Sequence, residues 1–344
     1  MSTILGGVVV AIAGLIMGSA FWPLKIMRRF QFEHWFFIGM LVGLVLVPWF
    51  VTLFFCPHLS SVFAEVDGSV IIKANVFAFV WGIANVLCSL CFVRIGFAIT
   101  GGILAGLGVS TGVTLPMIVK GSGLFKDAPN WGSPAAWTVL VGVAIMLVAV
   151  VFVSRAGFGR DRALQESSQP KGSFLAGLVM AAAAGVLCAG ISFAFIYSQG
   201  PIVGAVKRAG GSDVPANAAV WALGLGGGAL VNLLYPAYLM TINKSWHVLA
   251  QCWRDVGLAT LIGVNFIVAV VLMGKGMLML GALGASVGFG IQQAMQMLGN
   301  QGVGFISGEW RGVYGPPRNW MYVAIALLIV AAIVMAYGNS LAGV

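Results

Sequence analysis

The sequence predicts an all-α, polytopic membrane protein of ten transmembrane helices, built as two inverted five-helix repeats. Three observations predict it. Only 8% of residues are charged and 60% are hydrophobic, with a mean hydropathy of +1.02, where a soluble chain carries roughly 25% charged residues. Ten apolar runs, each near the ~20 residues a helix needs to cross hydrocarbon, follow one another along the chain. The most hydrophilic stretch, 155–172, separates five runs from five.

The runs cover 3–24, 34–56, 70–92, 97–119, 134–154, 173–197, 215–242, 255–274, 277–299 and 318–341. Each must be a helix, because a lipid-exposed backbone has to satisfy its own hydrogen bonds, and the period-two alternation of a barrel is absent. The short connections leave one transmembrane domain, 1–344, with repeat halves 1–157 and 172–344 joined by a linker, 158–171.

The first run has no basic residue before it and Lys25, Arg28 and Arg29 after it. A cleaved signal peptide has the opposite order, so the run is expected to be a retained helix. The flanks of connections 1/2, 3/4, 5/6, 7/8 and 9/10 hold twelve basic residues: Lys25, Arg28, Arg29, Arg94, Arg155, Arg160, Arg162, Lys171, Lys244, Arg254, Arg311 and Arg318. The other flanks hold six: Lys73, Lys120, Lys126, Lys207, Arg208 and Lys275. By the positive-inside rule the first set is cytoplasmic. The expectation is a multi-pass inner-membrane protein with both termini periplasmic.

Five is odd, so the second half enters the membrane from the opposite side, as in an inverted repeat. Weak self-similarity agrees. AIAGLIMGSAF (11–21) resembles AAAGVLCAGISF (182–193), and GGILAGLG (101–108) resembles GALGASVG (281–288). Asn85 is followed by Arg94 and Gly96, and Asn265 by Lys275 and Gly276. Glycine pairs four apart, such as Gly14/Gly18, Gly39/Gly43 and Gly224/Gly228, let helix backbones approach closely.

Several chemistries are excluded. The net charge of +9 sits largely on cytoplasmic flanks, not on a soluble basic surface, so no nucleic-acid partner is expected. Cys88 and Cys91 form a CxxC without an accompanying His or carboxylate, which reads as two small packing side chains. The histidines show no metal spacing, and GLGGGA (224–229) lacks the GK[ST] of a phosphate loop. No metal, no cofactor and no enzyme activity are expected.

Polar residues inside spans are costly and mark function or helix clamping. Gln292 and Gln296 are four apart on one face, with Gln293 beside them; carboxamides both donate and accept, which suits a neutral polyhydroxylated ligand or an interhelical clamp. Trp81 lies one turn before Asn85, an aromatic face beside an amide that could stack on a sugar ring, or a packing Trp with a structural Asn. Asn265 is the counterpart of Asn85, and Ser19 and Ser192 are secondary positions. Pro23 and Lys25 in FWPLK (21–25) are the candidate cytoplasmic gate, Pro23 by interrupting the ladder; Lys25 could equally snorkel to headgroups. All nine carboxylates fall in loops or at helix ends, so proton coupling has no obvious residue. Glu309, near Arg311, is the nearest candidate, or else a surface ion pair.

FWPLKIMRRFQFEHW (21–35), VPW (47–49), WGIAN (81–85), VRIG (93–96), GGILAGLGVSTGVTL (101–115), SRAG (154–157), GISFAF (190–195), GGGALVNL (226–233) and GEW (308–310) run in order along nearly the whole chain. Together they resemble the L-rhamnose–proton symporter family of the drug/metabolite transporter superfamily. The resemblance implies ten helices, an inverted repeat, outward termini and alternating-access uptake of a sugar. The expected partners are a small rhamnose-like monosaccharide, membrane lipids and, if transport is coupled, protons. Two alternatives stay open: a facilitator, exporter or exchanger of another small metabolite, anionic ones included, and a non-transporting membrane sensor.

Overall fold

The computed structural model describes residues 2–95, 104, 107, 108, 110–114, 117, 118, 130–164, 174–280 and 284–341. Among them every regular element is helical and no strand occurs. Seven of the described helices are long and apolar enough to cross a membrane, or eight if one bent pair counts as a single span. The fourth expected run, 97–119, falls mostly outside the described residues. The ninth is a helix at Gly284–Ile306, but its Gln292, Gln293, Gln296, Asn300 and Gln301 make it less apolar, and it is not among the seven.

Helix α1 (Ser2–Ser19) carries no charge and stops four residues ahead of Pro23, which sits in the 3-10 turn Trp22–Lys25. Helix α2 runs from Phe32 to Phe55. Its middle, Leu41–Leu46, is π-helical and lies just ahead of Pro48. Pro48 has no N–H to give, and the wider turn relieves the clash of its ring with the preceding turn. A short helix α3 (Leu59–Glu65) precedes α4 (Gly68–Ile95). Asp67 opens α4 by accepting the backbone N–H and the hydroxyl of Ser69, at 2.9 and 2.7 Å. Those bonds hold its carboxyl below the usual carboxylate range. In α5 (Pro134–Ala163) Ser133 caps the Ala136 N–H at 3.1 Å, and Arg160 and Arg162 lie in the last turn, where the helix dipole favours cations.

The sixth run is broken into α6 (Phe174–Leu187) and α7 (Gly190–Arg208). The seventh is broken into α8 (Asp213–Gly224) and α9 (Gly226–Ile242), bent by 61°. A one-turn helix α10 (His247–Gln251) leads into α11 (Trp253–Leu280), followed by α12 (Gly284–Ile306) and α13 (Pro316–Leu341). A broken helix leaves backbone groups unsatisfied, which is costly away from water. Asn75 of α4 fills the gap between α8 and α9. Its Nδ2 donates to the Leu223 carbonyl at 2.7 Å, and its Oδ1 accepts the Gly227 N–H at 2.8 Å. Only glycine fits at 227, because a Cβ there would collide with the Asn75 carbonyl.

The chain forms two compact units, and each draws on both halves of the sequence. Unit 1 holds Met1–Ser19, Leu87–Ala189 and Gly276–Val344; unit 2 holds Ala20–Val86 and Gly190–Lys275. The chain passes between them within the first, third and sixth runs and just past the eighth, inside α11.

Within unit 1, α1 packs on α12 along a glycine seam. A Cβ on Gly14 would lie 2.5 Å from the Gln292 carbonyl, and one on Gly18 would overlap the Gln296 carbonyl. Gly6 meets Gly276 and Met279, the C-terminal end of α11. Gly108, in the fourth run, faces Gly185 and Cys188 at the end of the sixth, and the Cys91 thiol donates to the Gly177 carbonyl at 3.5 Å. Helices α5 and α13 pack through Gly142 against Met335 and Val139 against Gly338.

Within unit 2, Gly39 and Gly43 of α2 face Gly263 of α11, and Gly82 of α4 faces Gly228 and Val231 of α9. Helix α9 also packs on α2. Gly190 begins α7 against Phe77 and Trp81 of α4.

Candidate substrate site

The expected site residues fall in both units. In unit 1, Gln292 is buried and its Nε2 donates to Gln296 Oε1 at 2.8 Å. The two amides thus satisfy each other across one helical turn, on the helix that carries the α1 seam. Gln293 is half-buried and makes no side-chain hydrogen bond among the described residues. Ser19 donates to carbonyls of its own helix, Leu15 at 2.9 Å and Ile16 at 3.2 Å. Its backbone N lies 3.1 Å from a Cβ built on Gly299 of α12, so Ser19 and the glutamine helix meet at one seam.

In unit 2, Trp81 is buried, stacks on Phe266 with centroids 6.4 Å apart at 21°, and presses on Gly228. Asn85 donates to Asn232 Oδ1 at 3.3 Å, and Asn232 donates to the Gly228 carbonyl at 2.8 Å. The structure therefore gathers Trp81, Asn85 and Asn232 at the α4–α9 contact. Asn265 is half-buried, with no side-chain hydrogen bond among the described residues. Ser192 is buried and its hydroxyl lacks a partner among them. Pro23 is buried inside its 3-10 turn, and Lys25 is exposed at the end of that turn.

Unit 1 thus offers amides and a hydroxyl, and unit 2 offers amides, a hydroxyl and aromatic faces. Among the described residues no group of His, Cys, Asp and Glu could hold a metal ion, and the five cysteines are free thiols. Neutral donors and acceptors beside aromatic rings match a neutral polyol better than a charged ligand.

The family model for the L-rhamnose-proton symport protein (RhaT) matches residues 1–340. The chain belongs to that family. It is a family of membrane transporters, not of enzymes, and the long apolar helices fit that setting. The L-rhamnose-proton symporter of Yersinia pestis bv. Antiqua (strain Antiqua) is 25% identical over 251 residues, covering 73% of this chain and 71% of the relative. The L-rhamnose-proton symporter of Yersinia pseudotuberculosis serotype O:1b (strain IP 31758) matches to the same extent, 25% over 251 residues.

For this RhaT-family chain the structure brings forward polar groups outside the expected contacts, of which only Asn217 stood out in the sequence as a polar residue inside a span. Asn75, at the α8–α9 break, is one. On α7, Gln199 donates to the Gly274 carbonyl of α11 at 3.0 Å. On α8, Asn217 and Trp221 are buried four residues apart, and Asn217 Oδ1 and Trp221 Nε1 have no partner among the described residues. Their type was visible in the sequence; their burial was not.

Glu309 pairs with Arg160 at 2.6 Å rather than with its neighbour Arg311, and Arg160 also lies over the Trp310 ring. Two further carboxylates, Glu33 and Asp255, sit at helix starts as expected, yet are only 5% and 0% exposed.

Proposed function

We propose that the chain imports an L-rhamnose-like monosaccharide across the inner membrane together with protons, by alternating access. It does so as one domain of ten spans in two inverted halves, with both termini periplasmic. The match of residues 1–340 to a sugar–proton symport family carries this reading.

The helix contacts support the inverted repeat. Exchanging each run for the one five places on turns the 1–9 contact into 6–4 and the 2–8 contact into 7–3, and all four occur; the contact of run 1 with the end of α11, just past run 8, has its counterpart in 3–6. The 5–10 and 2–7 contacts map onto themselves. The crossings between units, in runs 1, 3 and 6 and just past run 8 within α11, fit the same exchange. The broken span at the seventh run adds to this, since discontinuous helices frame midplane sites in such carriers.

In this reading Trp81, Asn85, Asn265, Gln292, Gln293 and Gln296 contact the sugar, and Ser19 and Ser192 assist. Pro23 and Lys25 belong to the cytoplasmic gate. Proteoliposomes containing the purified protein should take up labelled L-rhamnose saturably. An imposed inward proton gradient should drive accumulation above the external concentration. Transport of anionic metabolites in place of every neutral sugar in a broad panel would overturn the substrate. Ligand binding without counterflow would overturn transport.

A further inference from the structure

Asp255 stands in the first turn of α11, is 0% exposed, and reaches across to the segment that follows the 3-10 turn Trp22–Lys25. Its Oδ2 accepts three consecutive backbone N–H groups, those of Arg28, Arg29 and Phe30, at 3.2, 2.8 and 3.1 Å. Its Oδ1 is buried without a hydrogen-bond partner among the described residues. Asp255 makes no ion pair among them. The titratable and charged groups at it are Cys252, whose thiol donates to the carboxylate from the same turn, and Arg28 and Arg29, whose backbone N–H groups bond it while their side chains are exposed; Arg254 is its chain neighbour. A carboxylate clamp of this kind holds a loop only while the oxygen carries charge, because charge-assisted hydrogen bonds are about twice as strong as neutral ones.

We propose that Asp255 takes the coupling proton, and that protonation releases Arg28–Phe30 and with it the Pro23–Lys25 gate. This rests on the reading of the chain as a proton-coupled importer. The proton arrives from the periplasmic side and bonds to Oδ1, which accepts no backbone N–H among the described residues. Oδ2 becomes a neutral carbonyl oxygen and its three N–H bonds weaken. Releasing the segment from an ionised Asp255 would strand a buried charge, whereas releasing it from the neutral acid does not. The proton therefore binds the released state better than the clamped state, the differential affinity a coupling ligand needs. On loss of the proton to the cytoplasm the clamp re-forms.

The neighbouring bonds tie the same end of unit 2 together. His34 accepts the Gln31 N–H through Nδ1 at 3.1 Å and meets the Ser245 carbonyl through Nε2 at 3.2 Å, and Glu33 accepts from Asn243 at 3.1 Å. By contrast, the carboxylates on flanks assigned to the periplasm form exposed ion pairs, Glu65 with Arg208 and Asp213 with Lys207. The basic-residue count puts the buried set on the cytoplasmic side.

Two measurements on the full chain test this. In proteoliposomes, accumulation of L-rhamnose driven by an imposed proton gradient should fall to the equilibrium ratio in Asp255→Asn and be restored at least in part in Asp255→Glu, which keeps a titratable carboxylate. Gradient-driven accumulation by Asp255→Asn equal to wild type would overturn the proposal. Wild-type transport indifferent to the gradient would instead overturn the reading of proton coupling itself. The second measurement needs no variant. Hydrogen–deuterium exchange of the wild-type protein, corrected for intrinsic rates, should show protection at the Arg28–Phe30 amides at pH 8 and pH 5, lost at least tenfold only as the pH falls below the ordinary carboxylate range, because the three N–H bonds hold the clamped carboxylate ionised. Protection that persists below the carboxylate range while the fold is intact would overturn the proposal even if Asp255→Asn does not fold.

Discussion

Asn75 Oδ1 accepts the backbone N–H of Gly227 at 2.8 Å, and the same amide donates to the Leu223 carbonyl at 2.7 Å. One side chain of α4 thus stands in for the peptide groups lost where α8 gives way to α9. Asn75→Ala is expected to lower stability by at least about 1–3 kcal/mol, the cost of leaving one such buried group unsatisfied, since it strands two. Asn75→Asp keeps the acceptor but loses the donor to Leu223, so it should not rescue. Thermal unfolding of the purified protein checks both; a midpoint for Asn75→Ala within 1–2 °C of wild type, where ~1 kcal/mol shifts the midpoint by about 2–4 °C, would refute the role.

The break itself could not be read from the sequence. GLGGGALV (224–231) is continuous, uncharged and apolar, and its glycines are equally consistent with close packing. What ends α8 is a side chain about 150 residues away, a nonlocal partner invisible to periodicity. The same holds for Asp255, which sits at a helix start in the sequence and becomes buried only when Arg28–Phe30 folds over it. The membrane class, the helical runs and the glycine seams were legible, because hydropathy and four-residue spacing are local signals. Amide pairs were legible by type, but whether they face a ligand or each other depends on packing, as Gln292 and Gln296 illustrate.

Gly18 sets the approach of α1 to α12. A Cβ there overlaps the Gln296 carbonyl, whereas one on Gly7 meets nothing within 4 Å. Gly18→Ala should therefore destabilise by about 1–3 kcal/mol through overpacking. Gly7→Ala should be neutral or mildly stabilising, since alanine is the better helix former by about 1 kcal/mol. Equal melting temperatures for the two variants would contradict the seam.

Arg160 and Glu309 form a part-exposed pair, with side chains 20% and 30% exposed. Solvent screening limits such a pair to about 1 kcal/mol, and the Trp310 ring beneath Arg160 adds a similar small amount. A double-mutant cycle of Arg160→Ala and Glu309→Gln should show a coupling near that size. Glu309→Gln should leave gradient-driven uptake intact, because the proton is assigned to Asp255. Loss of coupling in Glu309→Gln would move the proton site.

Gln292, Gln293 and Gln296 are expected to separate by what each already bonds. Gln292 and Gln296 hold each other at 2.8 Å, so Gln292→Ala removes a native hydrogen bond as well as a ligand contact. It should lower the melting temperature and weaken sugar binding together. Gln293 makes no side-chain hydrogen bond among the described residues, so its amide is available to a hydroxyl without rearrangement. Gln293→Ala should leave stability unchanged and raise the Kd for L-rhamnose by about 2–10-fold, the equivalent of one neutral hydrogen bond of about 0.5–1.5 kcal/mol. Isothermal titration of the purified variants reads both effects. If Gln293→Ala and Gln292→Ala bind the sugar as wild type does while Gln292→Ala still melts early, the glutamines are a helix-packing pair and the sugar contacts lie with Trp81, Asn85 and Asn265.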